Sequence, residues 1–92
     1  MSLSNLRDEV AKIDASVLRS LAKRKRVCEK LACVKNREGL SLKDSAVEYR
    51  VFRRNSQFAN ELGLSNEFVC RLTRLLIKES FRWQRDFLQK KE

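Results

Sequence analysis

Ninety-two residues, 21 of them Lys or Arg and 12 Asp or Glu, carry a formal net charge of +9, so the chain is one small domain with a marginal core and an attraction for anionic partners. Three cysteines, Cys28, Cys33 and Cys70, and no histidine argue against a disulfide framework or a zinc site, and read as reduced thiols in a cytoplasmic protein. No apolar run approaches the ~20 residues of a membrane span and no signal peptide opens the chain, so a partner chain is the remaining source of stability and no membrane partner is expected.

Proline is absent and the only glycines are Gly39 and Gly63, which cut the chain into three pieces. In the first, from about Ser4 to Arg37, Leu6, Val10, Ile13, Val17, Leu21, Cys28 and Leu31 recur at steps of three, four and seven, the mark of one long amphipathic helix. Ser4 is the candidate N-cap, with Asp8 and Glu9 in the early turns, where the helix dipole favours negative charge. Some thirty residues at 1.5 Å each give a helix of roughly 45–50 Å, too long for two shorter helices of the same chain to cover. Such a stripe predicts a second copy of the chain.

The second helix is predicted from Asp44 or Ser45 to Leu62, with Val47, Val51, Phe58, Ala59 and Leu62 as its apolar positions. Ser45 and Glu48 have the spacing of a capping box. Gly63 then supplies the left-handed residue that ends a helix, with Leu64 as its hydrophobic contact. Ser65 caps a third helix running to about residue 90, with Glu67 in its first turn and a core stripe of Phe68, Leu72, Leu75, Leu76, Trp83 and Phe87. No strand pattern occurs. The prediction is all-α: three helices, one long and two shorter, in a helical homodimer.

At 100° per residue the apolar positions of the first helix fall within roughly 80°, and two cations share that arc: Arg24 near its centre and Lys35 beyond Leu31. Lys23, Lys25 and Lys30 lie largely on the opposite face. A cation on a buried stripe needs compensation. It can pair with a carboxylate of another helix, reach outward along its stem, or share an anionic ligand with its neighbour. Thr73, Ile77, Ser80 and Gln84 form a row beside the core stripe of the third helix, where Ser80 and Gln84 can orient a polar ligand without adding charge. That row also fits a plain boundary between core and solvent. Asp44 and Glu48 likewise fit simple capping roles. A nucleic-acid-binding module would need its cations on one exposed face; here two key cations lie on the apolar stripe, so no nucleic-acid partner is expected.

The ordered set resembles the all-helical chorismate mutases over nearly the whole chain. It consists of Leu6-Arg7-Asp8-Glu9-Val10, Ile13-Asp14, Leu18, Leu21, Arg24-Lys25-Arg26, Lys35, Asp44, Glu48, Gly63-Leu64 and the Ser80…Gln84 pair. The resemblance implies a unimolecular rearrangement of chorismate to prephenate, toward phenylalanine and tyrosine, with no cofactor. It also implies an intertwined homodimer in which the long helices cross. Arg7 then matches the arginine lent by the partner chain, and Arg24 the one supplied within the chain, both binding substrate carboxylates. Lys35 and Gln84 match the two donors to the ether oxygen of the breaking bond, and Glu48 the acceptor for the ring hydroxyl. Asp44 lies beside it, Ser80 matches a carboxylate contact, and Ile77 is a pocket-lining position.

Val47 departs from the pattern, since many members carry an arginine there. Its loss implies weaker binding or altered preference, with both ether-oxygen donors retained. It keeps open a related isochorismate pyruvate-lyase, or a weakly active or regulatory mutase-like domain.

Overall fold

The computed structural model describes residues 1–90 and contains three helices, α1 (Leu3–Arg37), α2 (Ser45–Leu62) and α3 (Asn66–Lys90). No strand occurs among the described residues, and none of the helices is long and apolar enough to cross a membrane.

The start of α1 differs from the sequence expectation, while α2 begins at Ser45, one of the two expected residues, and Ser65 caps α3 as expected. Ser2 caps α1, its hydroxyl accepting from the Asn5 N–H at 3.1 Å. Asp8 and Glu9 therefore fall beyond the first turn. Ser2 and Ser4 both satisfy the N-cap preference, and the earlier cap extends the helix. Asp44 caps α2, Oδ1 accepting from the N–H groups of Ala46 at 3.0 Å and Val47 at 3.3 Å. One carboxylate oxygen thus satisfies two orphan donors with the helix dipole in its favour, an arrangement a serine hydroxyl does not match. Ser45 becomes the first helical residue, and no capping box forms with Glu48. In α3, the Ser65 hydroxyl accepts from Phe68 N–H at 3.3 Å.

The helix ends are as punctuated by glycine as the sequence suggests. Gly39 and Gly63 have φ of 69° and 70°, and each closes the same pair of bonds. Leu40 N–H reaches Lys35 O at 2.7 Å and Gly39 N–H reaches Asn36 O at 3.3 Å; Leu64 N–H reaches Ala59 O at 2.9 Å and Gly63 N–H reaches Asn60 O at 3.4 Å. This double closure needs a left-handed residue, which glycine adopts without steric cost.

α3 lies between the other two helices and packs on both, while α1 and α2 do not pack on each other. The Cα trace spans 54 × 28 × 15 Å, and its 28 Å width is close to that of three helices side by side at interaxial distances of about 8–10 Å. Its radius of gyration, 16.4 Å, exceeds the about 12 Å of a compact domain this long. The chain is one flat layer, and a hydrophobic core requires two.

Burial follows from that flatness. The buried apolar residues among those described, Cys28, Ala32, Ala59 and Val69, are all small. Along α1 the stripe before Leu21 is uncovered, with Val10 57%, Ile13 62% and Val17 52% exposed. In α3 the expected core positions Phe68, Leu72 and Leu75 are exposed, whereas Thr73, Ser80 and Gln84 are buried. Phe58 and Leu62 of α2 are exposed as well. Apolar content suggested one burial line for α3; its place between two flanking helices selects the neighbouring polar row.

Candidate functional site

The polar row of α3 meets the two stripe cations of α1. Arg24, half-buried, donates through Nη1 to Ser80 Oγ and to the Leu76 carbonyl at 3.4 Å, with Cys28 Sγ at 4.0 Å. Lys35, also half-buried, donates through Nζ to Gln84 Oε1 and to the Leu42 carbonyl, both at 2.9 Å. Neither cation pairs with a carboxylate; the ion pairs among the described residues are Arg82–Glu79 and Arg85–Asp86, both local to α3. Neutral oxygens are what hold Arg24 and Lys35 on the stripe. Compensation by a carboxylate of another helix, one of the readings left open by the sequence, does not occur among the described residues.

Donor bookkeeping defines what this constellation offers. A lysine ammonium has three protons, and two are used, on Leu42 O and Gln84 Oε1. Lysine only donates, so Gln84 must present its carbonyl oxygen to it, leaving the Nε2 amide as a donor. One Lys35 proton and the Gln84 amide thus remain as neighbouring donors, able to serve a single ligand oxygen. Arg24 commits Nη1 to the protein and keeps Nε and Nη2 for a planar anion. The Ser80 hydroxyl donates to Leu76 O at 2.6 Å, so it contacts a ligand carboxylate as a donor only after rotating.

The remaining predicted residues stand as follows. Glu48 is half-buried on α2 and its carboxylate makes no hydrogen bond or ion pair among the described residues. Its own N–H bonds to Asp44 O at 3.0 Å, so the side chain is released from any capping duty. Asp44 is exposed and engaged as the N-cap. Val47 is 41% exposed and Ile77 half-buried. Arg7 is exposed, without a hydrogen bond or ion pair among the described residues, and seventeen residues, or about 25 Å along the helix, from Arg24. The fold therefore brings Arg24, Lys35, Ser80 and Gln84 together and leaves Arg7 apart.

Two parts of the site had no reading in the sequence. The carbonyls of Leu42 and Leu76 orient the cations, and no residue type marks a main-chain acceptor. Asn55 of α2 donates through Nδ2 to Thr73 Oγ1 at 3.0 Å; its signal was a polar residue seven positions after Glu48, on the same face of the helix.

A family model described as chorismate mutase type II matches residues 6–85. Among curated proteins, the bifunctional chorismate mutase/prephenate dehydratase of Buchnera aphidicola subsp. Acyrthosiphon pisum (strain APS) is 29% identical over 89 residues, covering 97% of this chain. The chain spans 23% of the length of that relative.

Proposed function

The chain is a chorismate mutase domain, a member of the chorismate mutase type II family, and we propose that it rearranges chorismate to prephenate on the route to phenylalanine and tyrosine. The observation that carries this reading is the Lys35–Gln84 pair, whose unused protons form a double donor beside the Arg24 guanidinium. Such a site needs no nucleophile or general base. It holds a flexible dianion in its folded, reactive conformer and stabilises the negative charge that grows on the ether oxygen.

In this reading Lys35 and Gln84 donate to the ether oxygen, and Arg24 grips a carboxylate with the two nitrogens it keeps free. Ser80 adds a carboxylate contact once its hydroxyl turns, and Glu48 accepts the ring hydroxyl. Asp44 stands beside it, and Val47 and Ile77 line the pocket. Arg7 arrives from a second copy of the chain. The flat single layer and the bare stripe of α1 support that arrangement, because a crossing copy supplies the missing layer and carries its Arg7 to the far end of the helix. Placement in the cytoplasm belongs to the same proposal.

The deciding experiment follows the ultraviolet absorbance of chorismate on adding the protein, with isochorismate run in parallel. Loss of chorismate with prephenate as product is expected. A folded dimer that leaves chorismate untouched, or that releases pyruvate from isochorismate faster, overturns the proposal.

A further inference from the structure

We propose that Asn55 and Thr73 are positioning residues that pin α2 in register along α3 and thereby set where Glu48 stands. The inference rests on the mutase reading for the role of Glu48, and on the structure alone for the pin. Thr73 is 1% exposed, the most deeply buried polar side chain described. Its hydroxyl donates to Val69 O at 2.7 Å within its own helix, so its oxygen faces its partner as an acceptor only. Asn55 meets it with an amide N–H at 3.0 Å. The pair is directional: an acceptor held by one helix and a donor held by the other.

Register is what such a pair can fix. α2 and α3 run antiparallel through the short Gly63 turn, and Arg74 stacks 5.9 Å over the Phe52 ring one step along from the pin. The rest of the α2 face toward α3 has only Ala59 fully buried, and small apolar contacts tolerate sliding and rotation. A half-buried donor meeting a buried acceptor does not, because a slipped register breaks the bond and leaves the Thr73 oxygen with an unused acceptor site inside the contact. One buried polar residue is known to set register in paired helices for this reason.

The pin is placed where register matters. Glu48 precedes Asn55 by seven residues and Ser80 follows Thr73 by seven, so each lies two turns away on the same face of its own helix. Antiparallel packing then puts Glu48 at the level of Ser80, and Asp44 at the level of Gln84. A shift of α2 carries Glu48 with it, while Arg24 and Lys35 are tied to α3 independently of α2.

The test compares wild type with an Asn55→Leu/Thr73→Val double variant, in which both polar groups leave together and stability is expected to stay close to wild type. kcat/KM for chorismate is expected to fall about tenfold, since small misplacements cost more than lost contacts. The decisive readout is coupling. Glu48→Gln is expected to lower kcat/KM in the wild-type background and to cost clearly less in the unpinned one, whereas the milder Arg24→Lys, which keeps the charge and loses the guanidinium fork, costs the same in both. Thr73→Ser, which keeps the acceptor oxygen, is expected to stay within about twofold of wild type, because the directional bond survives. A double variant with wild-type kcat/KM, or with the full Glu48→Gln cost, overturns the proposal. If wild type itself does not convert chorismate, the mutase reading falls, and crystal structures of both proteins judge the pin: Glu48 displaced along α3 sustains it, and an unmoved Glu48 overturns it.

Discussion

The two halves of α1 carry one apolar stripe and meet different surroundings. After Leu21 the stripe packs on α3, Cys28 and Ala32 are buried, and the cations Arg24 and Lys35 reach across to Ser80 and Gln84. Before Leu21 the same spacing continues through Val17, Ile13, Val10 and Leu6, yet these side chains are exposed and Arg7 makes no hydrogen bond or ion pair among the described residues. Periodicity states that a face is to be buried. It does not state by which chain. The packed half is where the chain builds a site, and the bare half is where the proposal needs a second copy.

The largest effect is expected from spoiling the bare half. Ile13→Asp places a carboxylate in the middle of the uncovered stripe, where it is harmless on a free surface. Inside an apolar contact an unpaired charge costs about 3–5 kcal/mol, felt twice in a two-fold dimer. Sedimentation is expected to show a monomer, with mutase activity lost because Arg7 no longer reaches a site. An Ile13→Asp protein that remains an active dimer breaks the comparison, since the bare half would then be a true surface.

The packed half is tested by its donors. Gln84→Ala is expected to lower kcat by on the order of 10²–10³, the usual cost of one donor to a developing oxyanion. KM is expected to change little, because that bond strengthens only as charge develops. Gln84→Glu sharpens the point: an ionised carboxylate repels the developing negative oxygen, and a protonated one donates to it again. Its activity is expected to be poor at neutral pH and to rise as the pH falls toward the carboxylate pKa. Full activity through neutrality would remove Gln84 from the ether oxygen.

A smaller effect joins the halves. Inactive Arg7→Ala chains mixed with inactive Arg24→Ala chains are expected to recover about a quarter of wild-type activity, since half of randomly paired dimers are mixed and each has one intact site. Exchange is verified by mass. No recovery would place both arginines in one chain's pocket, which the about 25 Å of helix between them opposes.

What the sequence disclosed follows the range of each signal. The helix count and the two glycine ends rest on local chemistry and appear in the structure. The α1 cap lies at Ser2 and not at Ser4 because both serines satisfy the same local preference, and of the two capping roles open to the start of α2 the Asp44 cap forms and the Ser45–Glu48 box does not. The burial line of α3 depends on what flanks it: within one chain Thr73, Ser80 and Gln84 are buried, Leu76, Trp83 and Phe87 of the apolar stripe are half-buried, and Phe68, Leu72 and Leu75 are exposed. Arg24 and Lys35 were legible as anomalies, being cations where a stripe calls for apolar residues. The carbonyls that hold them and the Asn55–Thr73 pair arise only when helices meet.

The smallest predicted effect tests whether the packed half is rigid at its end. Gly39 closes α1 four residues after Lys35, with φ of 69° and no atom within 4 Å of where a Cβ would stand. Gly39→Ala therefore meets no clash, and its cost is the backbone strain of a left-handed non-glycine residue, about 1–2 kcal/mol. For a domain of this size each kcal/mol lowers Tm by about 4–8 °C. Gly39→Asn is expected to lose less, since asparagine visits that region more readily. Activity is expected to stay within about twofold of wild type, because the Leu40 to Lys35 closure and the Leu42 carbonyl that holds Nζ survive the strain. Thermal melts and kcat measured on the same preparations check this. If Gly39→Ala instead lowered kcat tenfold with a small change in Tm, the strain would be relieved by moving the loop. Lys35 would then depend on that loop more than on Gln84.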